Sequence, residues 1–167
     1  MDAHPRILAI DVGDRRIGLA ITDALGLTAQ PLFTIHRATP KPNLRADLKA
    51  IARFIRQHSV AVVVIGYPLH ADGTPSPQSE KTLAFVEALK EFVVPAHPEL
   101  AFHLLDERLT TLEAHAMLDS SGKRSGKADR LARSEKIDQI AAVLLLESYL
   151  SQGSVTLLPD PDAGSGI

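Results

Sequence analysis

Carboxylates at three separate places in the 167-residue chain stand where a lone negative charge is costly. Asp11 falls inside the apolar run from Arg6 to Val12, where alternation puts it on the face of Ile7 and Ala9, just before Gly13. Burying such a group without a partner is unfavourable; the alternative is a strand-end acid accepting backbone N–H bonds from the next turn. Asp106-Glu107-Arg108 follows the run from Ala101 to Leu105. That is the strand end where open α/β sheets gather ligands, or else an acidic lead into a helix whose N-terminus favours carboxylates. Asp138 lies one turn into an apolar helical stretch and shares a face with Ala141, Ala142 and Leu145, unless it serves only as a helix-dipole acid. One shared cation would relieve all three. Mg²⁺ or Mn²⁺ takes hard oxygen donors of this kind. Two such ions roughly 3.5–4 Å apart can ready a water and stabilise the leaving oxygen in phosphodiester hydrolysis.

A basic stretch precedes Asp138. Residues 123–136 hold Lys123, Arg124, Lys127, Arg130, Arg133 and Lys136 against Asp129 and Glu135, a local charge of +4 in a chain of net −2. Read as a loop, it would bring positive charge to the rim of the acids and hold phosphates; read more plainly, it is a solvated connector. Arg108 and the Arg15-Arg16 pair are further phosphate contacts, although Arg15-Arg16 also suits a hairpin turn.

The elements that must position these groups follow from periodicity. Arg6 to Val12 and Ile17 to Thr22 read as a hairpin around Asp14-Arg15-Arg16, and Leu32 to His36 as a third antiparallel strand. Leu44, Leu48, Ile51 and Ile55 recur at helical spacing after Pro42-Asn43, with Arg45, Asp47, Lys49 and Arg56 at the remaining positions. Val60 to Ile65 is a β-branched run covered on both faces, ended by Gly66. Ser76-Pro77 opens a second helix with a Leu83, Val86, Leu89, Val93 stripe. Thr110 and Glu113 suggest a capping box, with Gly122 as the stop. Ser134 is placed as the cap of a last, mostly buried helix. The order is that of an α/β domain with a mixed sheet and an antiparallel meander at one side.

Composition excludes much else. The absence of cysteine removes disulfides, thiol nucleophiles and cysteine zinc sites. No apolar run reaches the roughly 18 residues of a membrane span, and the N-terminus lacks the order of a signal peptide, so a cytoplasmic protein is expected. The seven histidines form no His-Glu-x-x-His site, and Gly13 to Gly18 is followed by Leu19-Ala20 where a P-loop needs Lys-Ser/Thr. With five Phe, two Tyr and no Trp, base-stacking platforms are few, which favours recognition of backbone and shape.

Four ordered motifs together resemble the YqgF/RuvX family: Arg6-Ile-Leu-Ala-Ile-Asp11-Val-Gly13 through Ile17-Gly-Leu-Ala20; Ile65-Gly-Tyr-Pro-Leu69 with Asp72-Gly-Thr74; Asp106-Glu-Arg-Leu-Thr110; and Lys136-Ile-Asp138 with Ala141-Ala142. The resemblance covers about residues 6–152. It implies a ribonuclease-H-like fold, a five-stranded mixed sheet (a three-stranded antiparallel meander plus two parallel strands) flanked by helices. It further implies a metal-dependent nuclease whose acids are Asp11, Glu107 and Asp138, acting either on the 5′ end of pre-16S rRNA or on Holliday junctions. Tyr67 and His70 replace the more usual Leu and Asn in the second motif. On this reading residues 1–153 form a single nuclease domain and 154–167 a disordered tail.

Two other functions fit parts of the pattern. Asp11-Val-Gly13 also begins the phosphate-gripping hairpin of sugar kinases and related ATPases, but these need a second lobe for which 167 residues leave no room. A ribosome-maturation or junction-binding module that does no cutting would use the fold and the basic stretch without the acids. The expected partner in every nucleic-acid reading is pre-rRNA or branched DNA, with a homodimer if two symmetric cuts are made.

Overall fold

Strand β1 (Arg6–Val12) turns at Gly13, whose N–H donates to the Arg16 carbonyl at 2.9 Å, and returns as β2 (Arg16–Thr22). The structure, a computed structural model, describes residues 4–106 and 127–151, with side chains from 137 onward in the second stretch. The helix expected from Thr110 to Gly122 and the expected tail lie outside the described residues.

Strand β3 (Ala29–His36) begins before the apolar run that signals it, because it is a sheet edge whose first residues are largely exposed and are held by pairing with β2. Helix α1 (Leu44–Gln57) starts at Asn43, whose Oδ1 accepts the Ala46 N–H at 3.1 Å, and buries Leu48, Ile51 and Ile55. Strand β4 (Val60–Tyr67) runs two residues past its expected end at Ile65. Gly66 does not stop it, because pairing with the last strand continues through Gly66 and Tyr67. Helix α2 (Pro77–Val93) is capped by Ser76 with a reciprocal bond from Ser79, and buries Phe85 with Val86, Leu89 and Val93, while Leu83 packs only partly. Strand β5 (Ala101–Asp106) follows.

The last helix, α3 (Lys127–Ser151), corrects the expected loop. From Lys127 the basic segment is helical, and Ser134 lies inside the helix instead of capping it. Ala, Arg, Lys, Leu and Glu, all good helix formers, make up most of residues 127–136, so charge alone was a misleading loop signal.

The strands order as β3-β2-β1-β4-β5, antiparallel from β3 to β1 and parallel from β1 to β5, the mixed five-stranded sheet that the motifs imply. Alternation sorts the side chains into two cores. Leu8, Ile10, Ile17, Leu19, Val63 and Ile65 meet α1 and α2 on one face. Ala9, Ala20, Val64 and Leu105 meet Ala142, Leu145 and Leu146 of α3 on the other. Small side chains on β1 and β2 let α3 lie close to the sheet there. The helix crosses the sheet obliquely: Gln139 Nε2 donates to Thr34 Oγ1 on β3 at 3.1 Å, and farther along Tyr149 shares a 2.7 Å hydrogen bond with His103 on β5.

Candidate active site

Asp11, Gly18 and Thr34 are register partners in one row across β1, β2 and β3. Their α3-facing sides are set by the same alternation that places Ala9 and Ala20 in the α3 core. Gly18 is the contact point. A Cβ added there would lie 2.8 Å from the Asp138 carbonyl carbon and nearer still to its oxygen, so only glycine admits the helix backbone at this distance. Asp138 is thereby set beside Asp11, although 127 positions of sequence separate them. It lies about three turns into α3, beyond the reach of the helix terminus, which removes the dipole explanation for it.

The Asp138 carboxylate accepts a hydrogen bond from Arg16 Nε at 2.6 Å, and both side chains are about a quarter exposed (25% for Arg16, 23% for Asp138). Burial pushes the Asp138 carboxyl above the ordinary carboxylate value; the Arg16 bond and charge pull it down, the negative charge of Asp11 raises it, and the charge of His36 lowers it. The net shift is upward, so burial and Asp11 outweigh the effects of Arg16 and His36.

This shift predicts a pH effect on the metal-free protein. The folded state keeps the Asp138 proton at pH values where the unfolded chain has released it. The stability this contributes is complete below the unfolded value, near 3.8, and is lost as pH rises through the raised folded value. Urea midpoints in EDTA should therefore show Asp138→Asn gaining on the wild type as pH climbs through that window. A constant difference would contradict the shift.

A second charged network holds the hairpin from the opposite side. Arg37 Nε donates to Asp47 Oδ2 at 2.9 Å and Nη1 to the Gly13 carbonyl at 2.9 Å, with the guanidinium over the Phe85 ring. Asp47 is 3% exposed, which corrects its placement among the polar positions of α1. The signal was present: Asp47 stands four residues before Ile51 and eight before Ile55, on the buried stripe. Arg37 thus ties α1 and α2 to the turn two residues beyond Asp11. Gln78 Nε2 adds a 3.3 Å bond to the Val12 carbonyl.

The expected phosphate contacts separate in space. Arg16 faces Asp138, an acid the sequence reading did not pair it with. Arg15 is exposed and lines a cleft of about 750 Å³ on the α1/α2 side, together with Arg37, Pro40, Leu44, Lys81 and Phe85. Lys127, Arg130 and Arg133 fall on the first two turns of α3, upstream of Asp138 on the same helix. Glu107, Arg108, Lys123 and Arg124 lie outside the described residues. Among the described residues no three His, Asp or Glu side chains gather as a metal site. Asp11 and Asp138 nevertheless present carboxylate oxygens in each other's field, the hard donors that Mg²⁺ or Mn²⁺ accepts. No helix among the described residues is long and apolar enough to cross a membrane.

Comparison with known proteins adds to this geometry. Residues 5–152 match the RuvX family, described as Holliday junction resolvase. A protein of Koribacter versatilis named "Putative pre-16S rRNA nuclease" is 40% identical over 153 residues, covering 91% of this chain and 90% of its own. A protein of the same name from Thermoanaerobacter pseudethanolicus is 42% identical over 146 residues, covering 87% and 95%. Among solved structures, T. thermophilus RuvC in complex with Holliday junction substrate aligns with a TM-score of 0.56 over 93% of this chain and 100% of that one. At 11% identity this likeness shows the shared ribonuclease-H-like fold alone.

Proposed function

We propose that this chain, which belongs to the RuvX family, is a divalent-metal-dependent endonuclease that hydrolyses phosphodiester bonds at the 5′ end of pre-16S rRNA in the cytoplasm. The observation that carries the reading is the convergence of Asp11 and Asp138 across Gly18, from opposite ends of the chain onto one strand row. Asp11, Asp138 and Glu107 would hold Mg²⁺ or Mn²⁺. A bound divalent ion supplies positive charge against the transferring phosphate and lowers the pKa of water to make a nucleophile.

The chain's own groups do the rest. Asp138 must be ionised to hold a cation, and the charges of Arg16 and His36 favour that form against burial. Arg37 keeps the Asp11–Gly13 turn in place. Arg15, Arg108, Lys123, Arg124, Lys127, Arg130 and Arg133 would hold the phosphate backbone, so binding should weaken steeply with salt.

The names of the relatives support an RNA substrate, and the family description supports branched DNA as the alternative. A cleavage assay separates them. Purified protein should shorten a transcript carrying the 5′ extension of 16S rRNA in Mg²⁺ or Mn²⁺, and EDTA should stop it. Cutting of a four-way DNA junction with the transcript left intact would favour the alternative, which needs two copies for two symmetric cuts. Binding of either substrate without cleavage in both metals would replace the nuclease by a binding module.

A further inference from the structure

Arg16 is the described side chain that brings positive charge into direct hydrogen-bond contact with Asp138. Its contact with Asp138 is made through Nε to a single carboxylate oxygen, Oδ2. A guanidinium at full strength would grip both oxygens with its parallel N–H fork. Both partners are partly open to water, so an ion from solution can reach them. Among the described residues one guanidinium is hydrogen-bonded where two carboxylates meet, and the repulsion of Asp11 on Asp138 persists with Arg16 in place. His36, the register partner of Arg16 on β3, also acts on Asp138 through its charge.

From this we propose that Arg16 is a resident counter-cation that holds Asp138 in the metal-free protein and gives way when a divalent ion enters between Asp138 and Asp11. The inference rests on the metal-site reading above. A divalent ion brings twice the charge and can serve both acids, which the Nε contact does not. The released guanidinium stays tethered at the start of β2, beside the acids, where a substrate phosphate arrives. Its two roles, acid partner and phosphate contact, are then successive states of one side chain. A half-buried ion pair is thus present before the metal, limiting the repulsion that would otherwise open α3 from the sheet.

Two measurements test this. In titrations of Mn²⁺ at neutral pH, Arg16→Gln should bind about fivefold more tightly than the wild type, in line with loss of one partly exposed competing ion pair. Arg16→Lys should lie between them, and Asp11→Asn should lose the site. In the wild-type protein, the Nε–H resonance of Arg16, identified by its absence in Arg16→Lys, should move when Mg²⁺ saturates the site. The resonance decides the matter by itself if Arg16→Gln fails to fold. Equal or weaker Mn²⁺ binding by folded Arg16→Gln, or an unmoved resonance at saturating Mg²⁺, would overturn the exchange while leaving the metal site standing. Failure of the wild type to bind either ion, or Mn²⁺ binding that survives Asp11→Asn, would overturn the site reading and this inference with it.

Discussion

Replacing Asp138 or Asp11 by asparagine lowers cleavage of the RNA substrate by about 10³-fold, the equivalent of several kcal/mol of transition-state stabilisation lost with a catalytic cation. Asparagine keeps the shape but presents one neutral carbonyl oxygen, too poor a donor to hold Mg²⁺ against water. The two replacements differ in stability. Asp138→Asn relieves the repulsion from Asp11 but forfeits the charge of the Arg16 ion pair, whereas Asp11→Asn relieves the repulsion and keeps the pair. The metal-free Asp11→Asn protein should therefore melt at or above the wild-type temperature while its cleavage collapses. Substrate binding in EDTA, assigned above to basic side chains, should persist in both. Cleavage within tenfold of the wild type by either variant would remove the acids from the chemistry.

Gly18→Ala has the second large effect, and it arises from one methyl group. The added Cβ meets the main-chain carbonyl of Asp138, which cannot rotate aside as the end of a flexible side chain could. Helix α3 must move away from β2, loosening Ala142, Leu145 and Leu146 from Ala9 and Ala20 and separating Asp138 from Asp11. The stability loss falls at the upper end of the roughly 1–3 kcal/mol typical of overpacked cores. Cleavage drops nearly as far as in Asp138→Asn, because the acid is present but misplaced; a misplacement of about 1 Å already costs about 10²-fold. Urea melts and a turnover assay on the same preparation check both parts. Wild-type turnover in Gly18→Ala would mean that the close approach of α3 is not needed to form the site.

Much of this arrangement was legible in the chain because it follows local rules. The unbroken Val60 to Ile65 run announced a strand covered on both faces, and Ser76-Pro77 marked the start of α2. The facing of Asp11 with Ala9 followed from simple alternation. What escaped was non-local. Gly66 was read as a strand end, yet it pairs with Leu105 on a neighbour that no local pattern reveals. Asp47 falls among the charged positions set apart from the stripe because charge outweighs its spacing; its burial is sustained by Arg37, ten residues away. The start of α3 was misjudged because a cluster of charges looked like a loop. The meeting of Arg16 and Asp138 depends on Gly18 as a contact point, and a glycine in a strand pattern does not say what approaches it.

The oblique course of α3 has a consequence for the order in which the protein acquires activity. Among the described residues, the hairpin, α1, α2 and β4 bury their own core and are linked by Arg37 without a side chain from α3. The pair proposed to do the chemistry, by contrast, is completed only when a distant helix settles across Gly18, and closing so long an intervening chain carries the greater entropic cost. A nascent chain would thus hold a formed but harmless scaffold until its last helix docks. Gentle warming would reverse the sequence, silencing the enzyme before the main core gives way.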